Sequence, residues 1–149
     1  KIKGYCGTGV CQEPGCDTIF NTASPTFKVR FMFMAGYEDE EAFDEFRQEF
    51  DLRKCAKDIS APYMLVAGES DQLSPIHHTY ELFDLIEAPK RLVVYQGANH
   101  SMKFAASADL GESVDSLVYD WLRDRVDGKP VSSERIWVDS RGQMNSTPY

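Results

Sequence analysis

The chain has 149 residues, a net charge of −8 and 42% hydrophobic content, enough for one globular domain with its own core. With no Lys/Arg cluster to offset it, that charge excludes an electrostatic nucleic-acid surface. No apolar run approaches the ~20 residues of a membrane-spanning helix, so neither nucleic acid nor membrane is an expected partner.

The first stretch, Lys1 to Val10, is a short mixed run. Within it, Gly4-Tyr5-Cys6-Gly7-Thr8-Gly9 partly matches the G-x-C-x-G-G elbow of cysteine-dependent dienelactone hydrolases. The match departs at Thr8, where the elbow has glycine. The segment Gln12-Glu13-Pro14-Gly15 also breaks the helix that must follow an elbow. Cys6, Cys11 and Cys16 stand five residues apart, wider than zinc-knuckle spacing, and Cys55 stands alone. They read as reduced, independent thiols of a cytoplasmic protein with no metal, one disulfide among the first three being the alternative. No secretory leader pattern is present at Lys1.

From Phe27 to Met34 the residues suit either an amphipathic strand or a helix, because Phe27, Val29, Phe31 and Phe33 alternate while Phe27, Arg30, Phe31 and Met34 share a helical face. Glu38-Asp39-Glu40-Glu41 opens a helix, where carboxylates are favoured by the macrodipole, and Phe43, Phe46 and Phe50 line one side of it. A short link, Leu52 to Ile59, leads to the apolar run Tyr63-Met64-Leu65-Val66-Ala67. A second such run is Arg91-Leu92-Val93-Val94-Tyr95; unalternating runs of this length suit strands buried on both faces of a parallel sheet. Between them Ser74-Pro75 starts a helix, with Ser74 as cap and Ile76, Tyr80, Phe83 and Ile86 at helical spacing. A strand–helix–strand crossover makes the two strands parallel. His77 and His78 in its first turn point about 100° apart and read as helix-surface residues.

The loops leaving two parallel strands emerge at one edge, where open α/β folds place their ligands. Asp71 follows the first strand and His100 the second. A carboxylate against one nitrogen of a histidine fixes its tautomer and stabilises the imidazolium formed when the other nitrogen takes a proton. Glu112 to Val126 is an amphipathic helix, with Val114, Leu117, Val118, Trp121, Leu122 and Val126 as its apolar stripe and Gly128 and Pro130 at its end. The tail 131–149 is polar except for Ile136-Trp137-Val138, an edge strand or a docking patch.

The motifs AGESDQLSP and QGANHSM, with SPTFKVRFMFMAGYEDEEAFDEF upstream, resemble the C-terminal half of an α/β-hydrolase, in which the chain order is Ser, then Asp or Glu, then His. The resemblance runs from about Ile2 to Val126. It is strongest to the group containing 2,6-dihydroxypseudooxynicotine hydrolase and the fungal hydrolases that shorten polyketide pigment precursors. It implies an α/β fold in which 1–130 is the C-terminal part of the hydrolase domain, Lys1–Val10 contains the sixth strand, and about 17–58 is a helical cap. It also implies cofactor-free hydrolysis of an ester or C–C bond in a ketone-bearing aromatic or polyketide-like small molecule, by a homodimer. His100 would be the general base and Asp71 its orienting acid.

No G-x-S-x-G occurs, and Ser70 adjoins the acid rather than standing across a site from it. The expectation is therefore a C-terminal portion of a longer hydrolase, whose partner is the N-terminal half carrying the nucleophile. The chain by itself would then be inactive. A non-catalytic α/β binding or regulatory module, in which Asp71 and His100 are an ordinary loop pair, is the alternative from another class. A Cys6-nucleophile enzyme is the third.

Overall fold

The computed structural model describes residues 2–102 and 110–149; Lys1, at the start of the first expected strand, lies outside them. The sheet has five strands in chain order: β1 Tyr5–Thr8, β2 Tyr63–Gly68, β3 Lys90–Tyr95, β4 Glu134–Val138 and β5 Met144–Pro148. The first four are parallel and β5 returns antiparallel to β4. The architecture is a mixed α/β fold with a mostly parallel sheet flanked by helices, and both expected central strands fall in it as a parallel pair.

Alternate residues of the central strands feed two cores. Met64, Val66, Val93 and Tyr95 pack with Ile136 and Val138 against Leu117 and Trp121 of the last helix, Val114–Val126. Tyr63, Leu65, Leu92 and Val94 pack against Leu82 and Phe83 of helix Ile76–Leu85, with Ile86 just beyond it. Burial on both faces is why these strands read as continuous apolar runs. Within Val114–Val126, five of the six expected stripe residues lie in or against the core, and the stripe departs from expectation only at its end. Val126 is exposed, whereas Arg125 is buried with its guanidinium over the Trp121 ring at 5.2 Å. A long side chain that buries its stem on an aromatic face replaces the valine there. Ser113 caps this helix by accepting from the Ser116 N–H at 3.1 Å.

Before β2 lie three further helices, here α1 Asp17–Thr22, α2 Pro25–Ala35 and α3 Glu40–Arg47; Ile76–Leu85 and Val114–Val126 are then α4 and α5. The ambiguous stretch 27–34 is helical. Pro25 sits in the first turn and Gly36, at φ 77°, closes the helix with Tyr37 N–H donating to Met32 O at 2.9 Å. Asp39 caps α3 through the Ala42 N–H at 2.8 Å, so the acidic run is a helix start. Phe50 lies beyond the end of α3 at Arg47, and Phe43 alone of the three phenylalanines is buried; Phe46 stacks on Tyr37. Ile19, Phe20 and Phe43 form a third core, joined by Phe27, Met32, Tyr37 and Leu73.

Buried cations hold this layer together. Lys28 Nζ reaches Glu40 at 2.6 Å and the two Asp44 oxygens at 2.8 and 2.9 Å. Arg47 binds Asp44 at 2.7 Å through Nε, Gly15 O at 2.7 Å through Nη1, and Asp17 through the same nitrogen. The segment expected as a tail, 131–149, contributes β4 and β5, and Ile136-Trp137-Val138 pairs along β3 inside the sheet.

Candidate active site

Four strand ends meet at the C-terminal edge of the parallel sheet, and three of the loops leaving it are laced together. Gly68 ends β2 where the β3 loop crosses it: a Cβ there would fall on the carbonyl oxygens of Ala98 and Asn99. That close approach lets Ser70 N–H donate to Ala98 O at 2.8 Å and Glu69 N–H to Tyr95 O at 3.0 Å. Glu69 in turn accepts from Gly97 N–H at 2.8 Å. The β2 and β3 loops are thus fixed to each other by backbone bonds and the Glu69 carboxylate, without Asp71 or His100.

Asp71 lies within this lacing with its side chain 4% exposed. Its Oδ1 accepts from the N–H groups of Leu73 and Ser74, at 2.8 and 2.9 Å, which fixes the carboxylate plane. Its other oxygen, Oδ2, lies 2.9 Å from His100 Nδ1. Ser74 is not the helix cap its position suggested. Its hydroxyl donates to Val10 O at 3.0 Å, and α4 begins without a side-chain cap. The residue directly before α4 is Pro75, which has no side-chain oxygen to offer, and the Ser74 hydroxyl instead ties the Asp71 loop to the chain leaving β1.

The β1 loop closes on the histidine from the other side. Gly9, at φ 57°, lies so near that a Cβ would stand 3.0 Å from His100 O and 3.5 Å from Nε2. Only glycine combines that left-handed backbone with that approach at low cost. His100 is 31% exposed and separates two depressions. One, of about 250 Å³, is lined by Thr8, Gly9, Met102 and Val114 among others; the second, of about 390 Å³, by Gln72, Leu73 and Asn99. A larger hollow of about 640 Å³ lies at the opposite ends of β1 and β2, around Ile2, Tyr5 and Ile59, away from His100. Size does not select the site here; the placement of a hydrogen-bonded acid and base does.

A carboxylate accepts and does not donate, so the 2.9 Å contact puts the proton of a neutral His100 on Nδ1 and a lone pair on Nε2. Among the described residues Nε2 has no hydrogen-bond partner. The arrangement can take a proton at Nε2 and stabilise the resulting imidazolium through Asp71.

The remaining sequence candidates are placed elsewhere. Cys6 lies inside β1 and packs in the core beneath α5, where burial pushes its thiol up to about 11. A strand interior is no elbow, and a protonated thiol is a poor nucleophile, which removes the basis of the Cys6 reading. All four cysteines are free thiols. His77 and His78 sit on α4 with ring centroids 4.0 Å apart, and His78 lies 3.5 Å from Glu81 and 3.8 Å from Glu13. Among the described residues no three His, Cys, Asp or Glu side chains are placed to hold a metal ion. No described helix is long and apolar enough to cross a membrane. Sequence reasoning missed Gly9, Gly68 and the hydroxyl of Ser74. A glycine directly after or at the end of a strand was the available signal for the first two; the Ser74 tie had none, because its acceptor is 64 residues away in the chain.

Comparison with models of known protein families found no match, and comparison with curated proteins likewise found none.

Proposed function

We propose that this chain carries the general base, His100, and its orienting acid, Asp71, of an α/β-hydrolase whose nucleophile is a serine in polypeptide outside these 149 residues. The observation that carries the reading is the Asp71–His100 contact of 2.9 Å, with the second carboxylate oxygen immobilised by two backbone N–H groups. Nε2 would draw the proton from the serine hydroxyl as it attacks, then return it to the leaving group. The reaction class is hydrolysis of an ester or of a C–C bond beside a ketone, without a cofactor. An aromatic or polyketide-like substrate is supported by the apolar layer of α1–α3, which reaches the site through Leu73, a residue shared by that core and the larger depression beside His100. The unpaired outer side of β1 supports association with the rest of the hydrolase, and a homodimer in the cytoplasm completes the proposal.

One observation favours a second reading, a non-catalytic binding module: among the described residues no hydroxyl or thiol hydrogen-bonds Nε2. A serine-directed fluorophosphonate separates the two. The hydrolase reading expects labelling of the native protein from its source and none of this chain by itself. It also expects Asp71→Asn and His100→Ala each to lower kcat by about 10³–10⁴ with the fold intact. Absence of label in the native protein, or near-normal kcat in either variant, overturns it.

A further inference from the structure

Helix α2 reverses the usual order of a surface helix. It turns Phe27, Lys28 and Met32 inward, with Lys28 buried on Glu40 and Asp44 of α3. It presents Val29, Phe33 and Met34 to solvent, and Phe33 is 85% exposed. A surface helix normally places its apolar residues inward and its cations outward.

The charges bordering this face are also set apart from the rest of the layer. Lys28, Asp44, Arg47 and Asp17 are joined in ion pairs. Arg30, Glu38 and Glu41 are exposed, and their side chains have no hydrogen-bond or ion-pair partner among the described residues. Successive helix positions turn by about 100°, so Lys28 and Arg30 lie on opposite sides of the Val29 direction. Lys28 reaches Glu40 at 2.6 Å, which places the acidic run at the start of α3 on the Lys28 flank and leaves Arg30 on the other. The apolar row therefore has a cation on one flank, toward the start of α2, and carboxylates on the other, toward its end.

We propose that this face binds a second copy of the chain, α2 packing antiparallel on α2 about a two-fold axis near Phe33. A two-fold rotation exchanges both flanks and both ends of the helix. Each Arg30 then meets Glu38 and Glu41 of the other copy, while Val29, Phe33 and Met34 of the two copies cover one another. A contact of this symmetry needs a patch that complements itself, and the separated charges supply that. The same carboxylates, with a net charge of −8, oppose docking on an anionic membrane. Eleven residues of helix span about 16 Å, so the patch is smaller than the ~800 Å² per partner of a standard interface and the dimer is a weak, concentration-dependent one. This gives the homodimer of the proposed function a surface but takes nothing from the catalytic reading. Its test reads association alone, so either can fail without the other.

The test is sedimentation equilibrium of the 149-residue chain at rising concentration, with two charge-reversal variants, Arg30→Glu and the pair Glu38→Arg with Glu41→Arg. The parent should show a monomer–dimer equilibrium that weakens with added salt. Each variant by itself sets like charges opposite one another twice and should dimerise about tenfold more weakly. An equimolar mixture of the two should recover the parent association, because both contacts of the mixed dimer are again between opposite charges. Arg30→Gln, which removes the contact without reversing it, should fall between parent and Arg30→Glu. Near-UV circular dichroism should be the same in all of them, since none of these side chains pairs within the chain. A parent that stays monomeric, whether or not it binds phosphatidylcholine vesicles, overturns the proposal. So does a dimer that Arg30→Glu leaves intact, or a mixture that fails to recover.

Discussion

Asp71 owes its place to two hydrogen-bond sets of opposite character: backbone donors on Oδ1 and the imidazole on Oδ2. The first set fixes orientation whether or not His100 is present, so the pair is organised by the acid and not by the base. In the isolated chain, ¹⁵N shifts of neutral His100 should report the Nδ1–H tautomer, and Asp71→Asn should redistribute it toward a mixture. An unchanged tautomer in the variant would show that another group sets the ring. The glycine at the end of β2 gives a second prediction. Gly68→Ala drives a methyl onto the Ala98 and Asn99 carbonyls and should cost ~1–3 kcal/mol in urea unfolding, with loss of the lacing between the two loops. Gly97→Ala, where a Cβ would meet open space, should cost only the backbone strain of φ 66°, about 1 kcal/mol. Asp71 and His100 were legible as a pair because strand periodicity fixes where loops emerge. Gly9 was not, because its role depends on how closely one loop approaches another, which no local pattern encodes.

Among the elements, α2 shows what local pattern leaves open. Its apolar residues satisfy both a period of two and a helical face, and the decision falls to its ends and to Lys28. Pro25 and Gly36 bracket the helix, and the buried Lys28 ammonium finds Glu40 and Asp44 on α3. Hydrogen bonds from Lys28 and then Arg47 hold the Asp44 carboxyl below its usual range. A group whose folded value is depressed stabilises the fold above its unfolded value near pH ~4 and loses that contribution as pH falls through the folded one. The α1–α3 layer should therefore weaken below about pH 4. Asp44→Asn should be less stable at pH 6 and show a shallower fall in urea midpoint toward pH 3 than the parent; parallel curves would place the acid sensitivity elsewhere. The tail was only partly legible for a related reason: the strand alternative for Ile136-Trp137-Val138 was open, but its position between β3 and β5 was not. Ile136-Trp137-Val138 gave β4 strand character, but its place inside the sheet comes from pairing with β3, 43 residues earlier in the Arg91–Glu134 contact, and with β5, which has no buried side chain.

At the scale of the molecule, the two faces of the sheet are covered, and the exposed apolar surface concentrates on α2, where Val29, Phe33 and Met34 are 61%, 85% and 68% exposed. Phe33→Asp should leave stability within about 0.5 kcal/mol and reduce both dye binding by exposed apolar surface and self-association in sedimentation. Equal sedimentation in both proteins would mean that this face is not the sticky one. The α/β class was readable because unalternating strands and an amphipathic crossover helix leave few other arrangements; the extent of the sheet was not, since it depended on β4, whose apolar patch is three residues long, and on the wholly exposed β5. Strand order in the sheet is also chain order. No strand has to insert between two neighbours already paired, so a nascent chain leaving the ribosome can lay each strand beside the one before it. Of these five strands, the antiparallel hairpin of β4 and β5 is then the last to be laid down, on the side of the sheet away from β1.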